Sequence, residues 1–189
     1  MSKGKCIIFS APSGSGKTTL VNHLLDQKDL NLIFSISATT RNKRDNETNK
    51  LEYIFLSKEK FEQKIKNKKF LEYEEVYEGT FYGTLKKSVN ELLKSHNVIF
   101  DIDVEGGINL KNQFKENALS IFVKPPSIEE LRIRLKKRNK DSLNSIETRL
   151  SKANLELSKA NLFDKIIIND NLKLAMSQSY QLVSQYLEK

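Results

Sequence analysis

Short runs of apolar residues alternate along the chain with segments in which apolar residues recur every three or four positions. The runs are typical of buried strands and cover residues 5–10, 32–37, 97–103, 118–124 and 165–169. The helical spacing predicts helices over residues 18–27, 85–95, 106–114, 127–139, 145–162 and 172–187. Because strands buried on both faces consist of nearly continuous Ile, Val and Phe, this alternation predicts an α/β fold with a parallel sheet core.

Residues 38–84 interrupt the alternation. They hold a charged loop, a strand-like "EYIFL", a short helix around Phe61 and Ile65, and two short strands that meet at Glu78-Gly79. We expect an inserted mixed α/β lobe at 38–84 and a small helical lid at about 139–149, around the polar run "NKDSLN". The remainder, residues 1–37, 85–138 and 150–189, is predicted to form the core of a single domain covering residues 1–189.

Composition narrows the possible partners. The 189 residues carry 32 Lys and Arg against 24 Asp and Glu, a net charge of +8, which favours anionic ligands. We find no nucleic-acid-binding signature and no apolar run near the roughly 20 residues that span a bilayer, so neither nucleic acid nor a membrane is expected. One cysteine, Cys6, excludes an internal disulfide and indicates a cytoplasmic location. Monomer and homodimer both remain open.

The first strand is followed by "APSGSGKTTL", residues 11–20, and then by a helix. This is the phosphate-loop pattern G-x-x-x-x-G-K-[ST] except at its first position, where Ala11 stands. Ala11 precedes Pro12, which favours extended backbone, so glycine is not required there. The loop amides and the helix N-terminus would bind phosphates, Lys17 would reach the β- and γ-phosphates, and the Thr18 hydroxyl would ligate Mg²⁺.

A phosphate loop alone fits ATPases, GTPases and kinases. A GTPase would carry Asn-Lys-x-Asp after a late strand, but this chain has Ile168-Asn169-Asp170 there. A second candidate anion site follows the second strand, where Arg41 and Arg44 are spaced to hold a phosphate. Ligands bind at the carboxyl ends of strands in such sheets, so the position of the two arginines suits a phosphate site.

The run S-x-S-x-T-T-R-x-x-R at 35–44, together with the phosphate loop, resembles the guanylate kinase family. Further elements match that family in order along nearly the whole chain: Glu47, Tyr53, Phe70-Leu71-Glu72, Tyr82-Gly83-Thr84, Asp101-Ile102-Asp103, Pro125-Pro126-Ser127, Arg134, Arg138, Arg149 and the "IIIND" strand end. The loop after Arg41 lacks the Pro and Gly often found in the family, and Glu105 stands where Gln is usual. The added negative charge of Glu105 near the acceptor would weaken GMP binding modestly.

The resemblance implies a three-layer P-loop kinase fold with a parallel sheet core, an inserted mixed α/β acceptor-binding lobe and a small helical lid. It implies that the γ-phosphoryl group of ATP is transferred to GMP, with Mg²⁺, giving ADP and GDP. On the donor side the expected ATP-binding residues are Ser13, Gly14, Ser15, Gly16, Lys17, Thr18 and Thr19, with Arg138 and Asn169 beside the adenine. The expected catalytic residues are Lys17, Arg134 and Arg149, the two arginines touching the transferring phosphates from the lid.

On the acceptor side the resemblance implies that Arg41, Arg44, Tyr53 and Tyr82 hold the GMP phosphate, and that Ser37, Glu72 and Thr84 contact the guanine. Asp101 and Asp103 are assigned to the acceptor and metal region, and one of them would orient Mg²⁺ through water; a role in helix capping stays open for the pair. The chemistry of Glu72 follows from the residue itself, since an ionised carboxylate accepts from N1–H and the N2 amino group of guanine, and adenine lacks that donor pair.

Two other functions remain open. A kinase-like scaffold module would bind a peptide without turnover, and a kinase for another nucleoside monophosphate would prefer a different acceptor.

Overall fold

The computed structural model describes residues 4–43, 53–77, 79–137 and 143–188. Its central sheet contains the strands β1 (Cys6–Ser10), β2 (Leu32–Phe34), β7 (Asn97–Ile102), β8 (Ala118–Lys124) and β9 (Lys165–Ile168). These five strands are parallel and lie in the order β2-β7-β1-β8-β9. β1 lies in the middle of the sheet and is fully buried. Its sequence "CIIFS" contains no charged residue, so both of its faces can be covered by helices.

Helices cover both faces of this sheet: α1 (Lys17–Leu25) and α7 (Leu172–Leu187) pack on one face, and α3 (Lys86–Leu92) and α4 (Val104–Phe114) on the other. Two further helices, α5 (Ile128–Lys137) and α6 (Leu143–Ser158), follow β8, and short 3₁₀ helices lie at Lys28–Leu30, Lys115–Asn117 and Ala160–Leu162. Ile7 and Phe9 share one apolar cluster with α1 and α7, whereas Cys6 and Ile8 share another with α3 and α4. Successive residues of β1 therefore point to opposite faces of the sheet and pack against different helical layers.

The second sheet has four strands in the order β4-β3-β6-β5. They are β3 (Ala38–Thr39), β4 (Ile54–Phe55), β5 (Phe70–Tyr77) and β6 (Thr80–Leu85), and α2 (Lys58–Lys66) packs on them. Its core is small and aromatic, with Phe61 stacked on Phe70 at a centroid distance of 4.4 Å. β5 and β6 are antiparallel neighbours, as expected from the sequence, although Glu78 in their turn lies outside the described residues.

Helices α5 and α6 pack against each other through Leu131, Leu135, Ile146, Leu150 and Ala153. This pair holds the region expected to be a lid, of which residues 138–142 lie outside the described part. α6 begins at Leu143, and α4 begins at Val104, each two residues earlier than the sequence pattern indicated.

The predicted α/β fold with a parallel sheet core is confirmed. β2 is shorter than expected, since it ends at Phe34 and not at Ser37; the chain turns there toward the second sheet. Within the described residues, no helix combines the length and apolar character needed to cross a membrane.

Candidate active site

A cavity of about 380 Å³ lies at the carboxyl ends of β1 and β7, between the two sheets and helix α6. Thirteen of the residues expected from the sequence line it: Ser13, Gly14, Ser15, Gly16, Lys17, Thr18, Ser37, Tyr53, Glu72, Tyr82, Asp101, Asp103 and Arg149. The structure therefore brings the expected donor and acceptor residues to a single opening. Arg44 and Arg138 lie outside the described residues, so their assignment stays a prediction.

The phosphate loop turns through two glycines with positive φ, Gly14 at 95° and Gly16 at 89°. Glycine adopts this conformation at little cost, and it lets successive backbone N–H groups point inward. Helix α1 starts immediately afterwards at Lys17, so its positive N-terminal end points at the loop. Ala11 is not among the described non-glycine residues with positive φ, in agreement with the expectation that alanine fits there.

Asn169 supports this loop from behind. Its Nδ2 donates to the Ser15 carbonyl at 2.8 Å, and the residue is 3% exposed. A Cβ at Gly16 would lie 2.3 Å from the same Nδ2, so glycine is also required there by close approach. Asn169 does not line the cavity, and its observed contact is with the loop backbone. This contact joins residues 154 positions apart, and no local pattern in the sequence indicates it.

Asp101 is the carboxylate that contacts the phosphate loop. Its Oδ1 forms an ion pair with Lys17, and its Oδ2 accepts a hydrogen bond from the Thr18 hydroxyl at 2.6 Å. A hydroxyl and a carboxylate are oxygen ligands of the kind that Mg²⁺ takes, usually together with water and substrate phosphates. No group of three or more His, Cys, Asp or Glu that could hold a metal by itself occurs in the described part of the chain. The residues present thus fit a magnesium ion that arrives with a phosphate ligand.

Asp103 has a different place. Its side chain caps α4 by accepting from the Gly106 N–H at 2.9 Å, and its carbonyl accepts from the Ser10 hydroxyl. The capping role that the sequence left open is thus observed for Asp103. Asp103 also lines the cavity and lies close to Glu72, so a contact with the acceptor remains compatible with its position.

Glu72 is buried on β5, directly opposite Thr84 on β6. Burial raises the pKa of Glu72 to about 7; a hydrogen bond from Thr84 opposes this, and the nearby Asp103 adds to it. A buried carboxyl group in a cavity wall, with no cation among the causes of its shift, is equipped to accept hydrogen bonds from a ligand. Thr84 itself contacts Glu72 and does not line the cavity.

Aromatic rings form the wall beyond Glu72. The rings of Tyr53 and Tyr82 meet edge to face at 5.7 Å, and both line the cavity. The Arg41 guanidinium lies over Tyr53 at 5.3 Å and over Phe55 at 5.5 Å, outside the cavity lining. Tyr53 and Tyr82, together with Ser37, form one polar and aromatic side of the acceptor pocket.

Helix α6 supplies the remaining wall. Arg149 Nη1 donates to Ser13 Oγ at 2.7 Å, so this arginine reaches the phosphate loop. Lys152 and Glu156 also line the cavity. The sequence reasoning missed both, although their spacing from Arg149, one and two helical turns, is the signal that would have found them.

Arg134 lies elsewhere. Its Nε donates to Glu130 at 2.9 Å and its Nη1 to the Asn169 carbonyl at 3.0 Å, and it does not line the cavity. Thr19 is likewise absent from the lining, because it lies on α1 past the end of the loop. The structure thus brings Arg149 to the phosphate loop but places Arg134 behind it.

A phosphate loop with an adjoining carboxylate, an acceptor pocket in an inserted lobe and an arginine from a neighbouring helix define a P-loop nucleotide kinase. Comparisons with known proteins narrow this class. The family model described as guanylate kinase matches residues 3–186. The chain belongs to the guanylate kinase family.

Several relatives are similar over nearly their whole length. A guanylate kinase of Bacteroides thetaiotaomicron is 53% identical, over 98% of this chain and 91% of that protein. A guanylate kinase of Porphyromonas gingivalis is 49% identical, over 98% of this chain and 99% of that protein. The crystal structure of a guanylate kinase from Anaplasma phagocytophilum superposes with a TM-score of 0.79 at 27% identity, over 100% of this chain and 89% of that one.

Proposed function

We propose that this protein transfers the γ-phosphoryl group of ATP to GMP and releases ADP and GDP. The observation that carries the proposal is that the phosphate loop and the buried Glu72 open into one cavity. A donor phosphate on the loop would face an acceptor whose base reaches Glu72. Family membership supports the same reaction.

On the donor side, the loop amides and Lys17 would hold the β- and γ-phosphates, with Ser13, Gly14, Ser15 and Gly16 contributing backbone. Thr18 and Asp101 would hold Mg²⁺, which neutralises phosphate charge when bound. Lys17 lines the cavity and is ion-paired with Asp101, which supports its proposed role beside the phosphates. Arg149 would stabilise the negative charge that develops on the transferring group.

On the acceptor side, Glu72 would accept from N1–H and the amino group of guanine, while Thr84 orients the carboxylate. Ser37 would contact the base, and Tyr53 and Tyr82 would hold the GMP phosphate together with Arg41 and Arg44. In the structure the Arg41 guanidinium lies over the rings of Tyr53 and Phe55, and these cation–π contacts keep it beside the pocket. Asp103 would contribute to the acceptor region.

The protein would therefore use small nucleotides as partners, without nucleic acid or membrane, and would act in the cytoplasm. Asn169 and Arg138 are proposed near the adenine, and Thr19 beside the donor phosphates. In this proposal the chain forms a single domain, in which the lobe at residues 38–84 binds the acceptor and the lid at about 139–149 closes the cavity. The protein would be a monomer or a homodimer.

The proposal is tested by steady-state assays with ATP and each of GMP, AMP, UMP and dTMP. We expect GMP to be preferred by several orders of magnitude, since a buried site left unpaired rejects an analogue by factors of about 10⁴. Lys17→Ala should abolish turnover, whereas Lys94→Ala, which removes the exposed ion pair of Lys94 with Glu91, should leave it unchanged. Preference for another monophosphate would contradict the acceptor assignment, and no turnover with any acceptor would favour a scaffold module.

A further inference from the structure

Helix α6 contacts both sides of the cavity through residues one turn apart. Arg149 donates to Ser13 of the phosphate loop at 2.7 Å. Three residues later, Lys152 Nζ lies 4.0 Å from Glu74 Oε1 on β5 of the second sheet. Residues at this spacing share one helical face, so α6 is linked to the donor loop and to the acceptor lobe at the same time.

Lys152 lies among carboxyl groups that would otherwise repel one another. Its Nζ is also 4.0 Å from Glu156 Oε1, and Asp103 lies against Glu74. Burial raises the pKa of Glu74 to about 8 and that of Glu156 to about 7, with Asp103 adding to both and Lys152 opposing both. The ammonium group of Lys152 favours the ionised form of Glu74 and Glu156, and above about pH 8 it offsets the negative charge contributed by the lobe, the core and α6 itself.

The partners of Lys152 belong to different parts of the molecule. Glu74 lies on β5, Asp103 at the start of α4, and Glu156 on α6. By contrast, Lys94 and Glu91 form a closer ion pair of 2.8 Å, but both are exposed and only three residues apart, with Glu91 in the last turn of α3 and Lys94 just past its end. That pair cannot hold two elements together, whereas the pair of Lys152 and Glu74 connects α6 to the acceptor lobe.

We propose that Lys152 and Glu74 form a clamp that holds α6 on the acceptor lobe, so that Arg149 reaches the phosphate loop in register with the acceptor pocket. Lys152 is a positioning residue in this proposal, because it acts through the placement of Arg149 and of β5. Its kinetic consequences depend on the proposed function, since they concern GMP as acceptor. Its structural consequence, the link between α6 and β5, does not.

The structural consequence is measured without substrate. Cysteines introduced at Lys60 on α2 and Leu155 on α6, both exposed, carry spin labels while the buried Cys6 stays unlabelled. At about pH 9, where Glu74 is ionised, we expect the distance distribution between the labels to be narrow in the parent protein, broader and shifted in Lys152→Met, and restored in Lys152→Arg, which keeps the charge. Lys94→Met is the matched control and should leave it unchanged. Equal distributions in the parent protein and Lys152→Met would overturn the clamp.

The kinetic consequence is measured with ATP and GMP. At the same pH, Lys152→Met should lower kcat/KM for GMP by about twofold to fivefold, the range for a partly exposed pair, with ATP affinity in the absence of GMP changed less than about twofold. Glu74→Gln should cause a similar loss in the parent protein and little further loss in Lys152→Met. Losses that add would overturn the clamp. If the parent protein fails to phosphorylate GMP, the proposed function fails, and the label distances alone decide the clamp.

Discussion

The Thr18 hydroxyl donates a hydrogen bond of 2.6 Å to Oδ2 of Asp101, across 83 residues of chain. The contact exists because β1 and β7 are parallel neighbours, with Phe9 opposite Asp101, so the loop after β1 meets the end of β7. The same carboxylate pairs with Lys17 through its other oxygen. Asp101 therefore joins Lys17, which would bind the phosphates, to Thr18, which would hold their metal ion.

Replacing Asp101 should change the dependence on magnesium. We expect Asp101→Asn to lower kcat by about a hundredfold and to require more Mg²⁺ for half-maximal activity, because a neutral amide is a poorer partner for the hydrated ion. Magnesium titrations at saturating ATP provide the measurement. Asp103→Asn is the matched control, since asparagine also caps helices and α4 should persist. A shift of the magnesium curve in Asp103→Asn alone would reverse the assignment.

Gly16 is predicted to be required for two reasons, its positive φ and its contact with Asn169. Gly16→Ala should push the Asn169 amide off the Ser15 carbonyl and weaken ATP binding by at least about tenfold, because a broken buried hydrogen bond costs about 1–3 kcal/mol. The control is Gly79→Ala, where φ is 71° but a Cβ would meet nothing within 4 Å. Calorimetric ATP titrations of the two variants separate loop distortion from backbone strain; equal losses would contradict the contact argument.

Acceptor binding should strengthen as pH rises through about 7, the pKa of Glu72 in the empty site. Guanine N–H donors favour the ionised carboxylate, so binding releases a proton below that pH. Calorimetric titration of GMP in buffers of different ionisation enthalpy measures this release. Glu72→Gln serves as the control and isolates any contribution from the GMP phosphate. The same proton release in Glu72→Gln would show that another group is responsible.

The same carboxyl group should make the empty protein less stable at higher pH. Its pKa is raised in the folded state from an ordinary value of 4.5, so folding binds a proton between about pH 4.5 and 7. The free energy of unfolding should therefore fall across this range and stay lower above it. At about pH 8 Glu72→Gln should be more stable than the parent protein by about 1–3 kcal/mol, as measured by urea unfolding. A destabilised Glu72→Gln at that pH would contradict this.

Replacing Arg134 shows whether its observed contacts or its expected contact with the phosphates matters for catalysis. The structure places it on Glu130 and on the Asn169 carbonyl, behind the loop. If it touches phosphates during turnover, Arg134→Met should lower kcat by about a hundredfold or more, the range for removing a positive charge from the transition state. If it only supports Asn169, the variant should mainly weaken ATP binding. Single-turnover kinetics together with ATP titrations distinguish the two outcomes.

Local pattern was sufficient for the strands, the helices and the phosphate loop. Apolar period, the Gly14 and Gly16 turn and the Lys17-Thr18 pair all depend on neighbours within a few residues, and such signals persist whatever the rest of the chain does. The expected α/β class and the inserted lobe follow from the same kind of information. The sequence could name Glu72 and Arg149 as site residues only through the spacing of a family motif.

The tertiary structure decided which of two similar residues does what. Asp101 and Asp103 are two positions apart, yet one faces the phosphate loop and the other caps α4. The reason is that β7 ends at Ile102, so Asp101 still lies in the strand beside β1, whereas Asp103 lies past the strand as the N-cap residue of α4. Asn169 supports Ser15, and Lys152 meets Glu74, through contacts between segments far apart in sequence. Residue type and spacing determined what chemistry this chain carries; only the packing of its elements determined which groups meet, because contact and burial are properties of the folded chain.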